Sequence, residues 1–185
     1  TILEKVNYII FDLEATCWQG SPRSKQQETI EIGAYMLDPY GELKSSYNRF
    51  IRPIINPYLS TYCTELTSIE QEDVDHAKTF NRVIREFMDW AMIDEEDYWL
   101  CSWGRFDQTL LINDCELHKI EDEWLDWHLN LKAQYREIKG LSRERGLKWA
   151  VGKEGMEFEG IHHRAIDDAG NLVKIFRKHL DEWRT

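Results

Sequence analysis

The sequence predicts an α/β fold in which helices pack on a mixed sheet, and three observations carry that reading. Residues 6–14 (VNYIIFDLE) are nearly continuous in apolar character, as suits a strand buried on both faces at the centre of a sheet. Two further strand-like stretches, 29–37 and 46–51, flank Asp38-Pro39-Tyr40-Gly41, whose Pro and Gly mark a tight turn and therefore an antiparallel hairpin. Beyond them helical and strand patterns alternate, which gives a layered α/β structure rather than a sandwich or a bundle.

The remaining elements follow in order. A loop carrying Pro53 and Pro57 precedes Phe80, Val83, Ile84, Phe87, Met88 and Ala91, whose i, i+3, i+4, i+7 spacing is that of an amphipathic helix. Residues 98–102 form a short apolar run reached through Asp94-Glu95-Glu96-Asp97 and left through Gly104, and a helix is expected from Phe106 to Leu117. More helix is expected across residues 128–150. The last helix carries Ala169, Leu172, Val173, Phe176, Leu180 and Trp183 on one stripe. With no internal repeat, linker or low-complexity tract, residues 1–185 read as a single domain.

At 185 residues and 42% hydrophobic content the chain can bury one core but not two independent ones. Cys17, Cys63, Cys101 and Cys115 form no C-x-x-C pair, which excludes a zinc knuckle or a thioredoxin-like motif and points to free thiols in a reducing compartment. No apolar run is long enough to span a bilayer, and Thr1 to Val6 lack the charged-then-apolar order of a leader. An intracellular protein with no membrane partner is expected, cytoplasmic rather than nuclear, although a chain that begins at threonine leaves room for preceding sequence. The formal charge of −11 argues against a nucleic-acid partner, yet Lys132, Arg136, Lys139, Arg143, Arg145, Lys148 and Lys153 face only Glu137 and Glu144 in their segment. That segment is either a polyanion-binding patch or a solvated helical face.

Alternate strand residues share a face, so Asp12 and Glu14 point the same way from the end of the buried first strand. Side by side they repel, and a hard divalent metal is the natural compensation; the plain alternative is a strand that ends in solvent. Asp107 falls in the first turn of a helix just after a strand, where the helix dipole alone would also favour it. Gly160-Ile161-His162-His163-Arg164-Ala165-Ile166-Asp167-Asp168-Ala169 gathers two histidines and two aspartates at the start of the last helix. The helical register sets Asp168 on the flank of the packed face and Asp167 opposite the apolar stripe, so Asp168 is the better placed to reach a site beside the sheet. His163, just before the helix, suits a general base, the plain alternative being an ordinary surface histidine at a helix start; one His–Asp pair can be functional while the other is decoration. Four carboxylates and a histidine at element ends fit two-metal phosphodiester hydrolysis, with ions about 3.5–4 Å apart. Asp12 would bridge them, Glu14 and Asp168 would lie on the nucleophile side, and Asp107 would act through water.

D-x-E in FDLEATC, Asp107 in SWGRFDQTLL and H-x-x-x-x-D in HHRAIDDAGN resemble the three motifs of the DEDDh 3′–5′ exonuclease family. ETIEIGAYMLD is similar to that family's second strand, and YCTELTSI to the segment that grips the substrate's end, so the likeness covers nearly the whole chain. The forms YCTELT and HHRAIDDAGN are most similar to the KapD and Eri-like branch, which trims RNA 3′ ends. The resemblance implies a ribonuclease H-like fold, a mixed sheet of about five strands flanked by helices, with two magnesium ions that manganese can replace. It also implies RNA rather than DNA as partner and 5′-nucleoside monophosphates as products. Both His162/Asp167 and His163/Asp168 satisfy the family spacing, and the helical register favours the second.

Among substrate contacts the resemblance implies Ala15 and Thr16 at the terminal sugar and Leu66 as a wedge against the terminal base. Trp103 and Phe106 serve there either for stacking or as core. Ser68 departs from the glycine common in this branch, which bears on the substrate-end geometry. The competing readings are a DNA-directed or proofreading exonuclease on the same fold, and a catalytically silent nucleic-acid-binding scaffold, against which the complete set of five side chains counts.

Overall fold

One five-stranded sheet organises the computed structural model, which describes residues 6–185. The strands are β1 (Val6–Ala15), β2 (Thr29–Leu37), β3 (Leu43–Phe50), β4 (Asp97–Ser102) and β5 (His128–Asn130), in spatial order β3-β2-β1-β4-β5. β1 pairs antiparallel with β2 and parallel with β4, so the sheet is mixed and its most apolar strand is central. β2 and β3 form the expected hairpin. Gly41 at φ +80° closes the turn, and the Asp38 carboxylate accepts from the Tyr40 and Glu42 N–H groups. The expected absence of a leader in Thr1–Val6 falls, Val6 apart, outside the described residues.

The helices are α1 (Thr61–Thr67), α2 (Gln71–Asp75), α3 (Phe80–Trp90), α4 (Phe106–His118), α5 (Leu131–Ile138), α6 (Leu147–Lys153) and α7 (Ala165–Lys178). They lie on both faces of the sheet. Ile9, Phe11 and Leu13 pack with Val83, Ile84 and Phe87 of α3 and with Leu110 and Leu111 of α4. Ile10, one step along β1, packs with Tyr135, Val151, Leu172 and Phe176 of α5, α6 and α7. By the same alternation Asp12 and Glu14 open onto the side that α7 covers.

Three expectations are corrected. The helix expected across residues 128–150 is present as α5 and the start of α6, but it does not begin at 128. His128–Asn130 is the fifth strand, too short for any periodicity to register, and Asn130 caps α5 by accepting from the Ala133 N–H at 3.1 Å. The region before α3, read as loop, holds α1 and α2, each too short to show a stripe. The last helix stops at Lys178, and Trp183 does not extend its stripe. Instead its ring folds back onto Phe176, centroids 5.9 Å apart, and its indole N–H donates to the Phe176 carbonyl. All four cysteines are free, and no described helix is long and apolar enough to cross a membrane.

Candidate active site

β1 delivers Asp12 and Glu14 to one end of the sheet, and α7 delivers Asp168 to meet them. Carboxylate oxygens of the three lie within 4.8 Å of one another. The approach of α7 depends on Gly33, the β2 partner of Asp12: a Cβ there would stand 2.2 Å from the Ile166 nitrogen and 2.4 Å from the Ala165 carbonyl carbon. Glu31, two residues earlier and fully buried, receives Arg164 Nε and Nη2 and the Ala165 N–H, each at 3.1 Å. A buried carboxylate thus anchors the helix N-terminus, where the dipole favours negative charge. The sequence reading overlooked both residues. The small residue inside an otherwise strand-forming EIGAY stretch was the available signal.

The turn before α7 separates the two aspartates. Asp167 accepts from the Ile161 N–H at 2.9 Å and packs under Gly160, away from the carboxylate cluster. Asp168 turns inward, with Oδ1 2.9 Å from His162 Nδ1 and Oδ2 accepting the His163 N–H at 3.1 Å. His163 has a left-handed backbone, φ +67°, and its ring stacks on that of His162 with centroids 3.9 Å apart. Both imidazoles line the same cleft, so His162 is not the bystander the sequence reading took it to be.

Asp107 enters from α4 and stands outside the three-carboxylate group, its Oδ1 accepting the Leu13 N–H at 3.1 Å. Beside it Ser102, fully buried at the end of β4, holds the Asp107 pKa down against the effect of burial. The Ser102 hydroxyl lies 3.0 Å from the Gly104 carbonyl oxygen and 2.9 Å from His128 Nε2. Burial, with Arg105 adding to it, pushes the His128 pKa down to about 4, so the ring is neutral at pH 7. Ser102 opens the SWGRFDQTLL stretch but was not singled out within it, and His128 lay outside every motif.

The cleft encloses about 440 Å³. Asp12, Glu14, Asp107, Asp168, His163, Ala15, Leu66, Trp103 and Phe106 all line it, as do Gln27 and Lys148. Phe106 is 52% exposed and Leu66 36%, so both present apolar surface that the fold leaves uncovered. Trp103 is more deeply engaged, with its indole N–H on the Arg145 carbonyl and its ring against Tyr135, so packing is part of its role. Thr16 departs from the expectation of a sugar contact. It is buried, its hydroxyl accepts the Glu28 N–H and its own N–H donates to the Glu28 carbonyl, both at 2.9 Å. The basic segment also divides. Lys148 reaches the cleft, whereas Lys139 pairs at 3.0 Å with Glu154, whose side chain is 4% exposed.

The acids hold one another's protons. Burial, then Asp107, Glu14, Asp168 and Glu31, pushes Asp12 well above the carboxylate range. Burial and the Asp168, Glu31 and Asp107 charges raise Glu14 to about 9. Asp107 rises to about 7 through burial, offset by its hydrogen bonds from Leu13 and Ser102. Burial and His162 lower His163, against the pull of Asp168, so its imidazole is neutral at pH 7. Carboxylates converging at this spacing form an all-oxygen donor set that fits hard divalent ions.

A mixed sheet whose central strand ends in a carboxylate pair, with a third acid from α7 and a fourth from α4, defines a ribonuclease H-like nuclease fold of the DEDDh type. The model of the exonuclease family, RNase T type, matches residues 9–176, and the chain belongs to that family. It is 30% identical over 185 residues to 3′-5′ exoribonuclease 1 of Homo sapiens, covering 94% of this chain and 52% of that protein. Over 203 residues it is 28% identical to the 3′-5′ exonuclease eri1 of Schizosaccharomyces pombe, covering 94% of this chain and 68% of that protein. The chain thus spans about half the length of the mammalian exoribonucleases it matches. The crystallographic structure of the nuclease domain of 3′hExo, a DEDDh family member, bound to rAMP, aligns with a TM-score of 0.90 at 28% identity. That alignment covers 100% of this chain and 98% of the other. A structure describing 3′-end specific recognition of histone mRNA stem-loop by 3′-exonuclease aligns at 0.87 and 27% identity, over 97% of this chain and 83% of that one.

Proposed function

We propose that this chain is a 3′–5′ exoribonuclease unit that removes nucleotides one at a time from single-stranded RNA 3′ ends and releases 5′-nucleoside monophosphates. The observation that carries the reading is the convergence of Asp12, Glu14 and Asp168 within 4.8 Å, in a cleft that also holds His163 and Asp107. The relatives' names favour RNA over DNA as the substrate.

Asp12, Glu14 and Asp168, with Asp107 at their side, are the residues that would hold two magnesium or manganese ions. Such ions supply counter-charge to the phosphodiester and lower the pKa of the attacking water. His163 presents a neutral imidazole nitrogen that takes the water's proton as the phosphorus–oxygen bond to the 3′ oxygen of the preceding nucleotide breaks. Phe106 and Leu66 hold the terminal base by stacking and wedging, and Ala15 is small enough for the terminal sugar to approach β1. Lys148 neutralises a phosphate on the way in.

Digestion of 5′-labelled single-stranded RNA and matched DNA, with magnesium or chelator, tests this with wild type and Asp12→Ala. A magnesium-dependent ladder shortening from the RNA 3′ end, lost in the variant, is expected. Stronger cleavage of DNA would replace the substrate assignment, and no metal-dependent cleavage of either would sink the enzymatic reading.

A further inference from the structure

We propose that His162, His163 and Asp168 form a second and softer metal site, selective for Zn2+, whose filling switches off the candidate active site. The consequence for catalysis rests on the proposed function; the binding itself does not.

The backbone creates this site. Along an extended chain successive side chains point to opposite sides, so neighbouring histidines ordinarily diverge. His163 at φ +67° breaks that alternation and brings the two rings together, stacked with planes 24° apart, so that a turn of one ring about its own χ2 is all that is needed to aim both nitrogens at one ion. Asp168, one turn into α7, closes the third side, with His162 Nδ1 2.9 Å from its Oδ1. One donor atom from each of the three residues lies within 4.8 Å of the other two.

Two imidazoles and one carboxylate make a donor set unlike the all-oxygen cluster beside it. Magnesium favours oxygen and sheds water reluctantly, while zinc favours imidazole nitrogen and commonly takes three protein ligands with one position left open. In the proposed hydrolysis His163 alone takes the proton, and His162 serves only to hold Asp168 through its Nδ1, so its capacity as a metal ligand is unused there. Zinc bound here occupies the imidazole of His163 and withdraws Asp168 from the carboxylate group. Both losses act against phosphodiester cleavage even when magnesium is abundant.

The test uses metal-free, tag-free protein titrated with Co2+, read by visible absorption, and with Zn2+ in competition with a chromophoric chelator. Wild type is compared with His162→Gln, His162→Asn, His163→Gln and, as a control at an exposed position, His76→Gln. Loss of a residue that merely orients a ligand costs about 10–100-fold in metal affinity, so loss of a ligand itself should weaken Zn2+ at least about tenfold. That loss is expected in all three site variants and not in His76→Gln, with thermal melts confirming that each variant is folded. In magnesium, half-inhibition of RNA digestion by Zn2+ should need at least about tenfold more zinc in His162→Gln than in wild type. Equal zinc affinity in wild type and both His162 variants would overturn the proposal, because zinc would then sit on the carboxylates alone, and so would the absence of zinc binding. Zinc binding as predicted in a protein that cleaves neither RNA nor DNA would remove the proposed function and leave this site standing.

Discussion

Ser68 shows how one residue departs from its backbone's preference. It ends α1 in the left-handed region, φ +59°, donating its N–H to the Thr64 carbonyl at 2.8 Å, a position where glycine carries no Cβ penalty. Ser68→Gly should therefore stabilise the fold by about 0.5–1 kcal/mol, a rise of roughly 1–4 °C in melting temperature. An unchanged or lower Tm would show that the serine makes a compensating contact. Ser102 is a case of the opposite kind, a buried hydroxyl set between His128 and Asp107. Removing it leaves Asp107 held by the Leu13 N–H alone among distant residues and leaves the neutral His128 ring without its partner. Ser102→Ala should raise the magnesium concentration for half-maximal activity about tenfold, with kcat at saturating metal reduced far less. A kcat loss with unchanged magnesium dependence would place Ser102 outside the metal-holding apparatus.

Among the elements, α7 matters most to the site, and its seat on the sheet is where sequence and structure diverge most usefully. Strand β1, the β2–β3 hairpin and helices α3 and α4 were legible because each repeats its apolar pattern over enough residues to average out exceptions. The acids were legible because they fall at element ends in the family's order. Gly33, Glu31, Ser102 and the left-handed turn at His163 were not, since each acts through a contact between segments distant in sequence. Glu31 meets Arg164 across 133 positions. The basic segment was legible as a count and not as a surface, because the buried acid that occupies Lys139, Glu154, stands just past the end of α6, one residue outside the segment. Gly33→Ala isolates the seat of α7: the new methyl overlaps the Ile166 and Ala165 backbone, which cannot yield as a flexible side chain would. The helix start must move by ~1 Å, carrying Asp168 and His163 from Asp12 and Glu14, and such a displacement costs about 100-fold in rate. Steady-state kinetics on folded variant protein checks this, and activity within twofold of wild type would mean that α7 is not positioned by this contact.

Across the whole molecule the acids of the site set a conflict between folding and function, and pH is the means of exposing it. Glu14 titrates at about 9 and Asp107 at about 7 in the folded chain without metal, against about 4.3 and 3.9 in an unfolded one. A carboxyl whose folded pKa is raised binds its proton more tightly in the native state. Its stabilising contribution is complete below the unfolded pKa and is lost as pH rises through the folded one. The loss extends from about pH 4 to 9. His128, lowered to about 4, acts in the opposite sense as pH falls from about 6.5 to 4, so the range above 6.5 reports the acids with least interference. In chelator, melting temperature should fall from pH 6.5 to 9, and magnesium should raise it more at pH 8.5 than at 6.5, since ions bind the deprotonated cluster. Glu14→Gln keeps the shape and removes one charge. Without metal at pH 8 it should be more stable than wild type by ~1 kcal/mol or more, about 2–4 °C in a chain of this size, with a flatter pH dependence and little magnesium response. If the chelated wild type melts at the same temperature from pH 6.5 to 9 and Glu14→Gln confers no gain, the carboxylates are not crowded enough to need a cation.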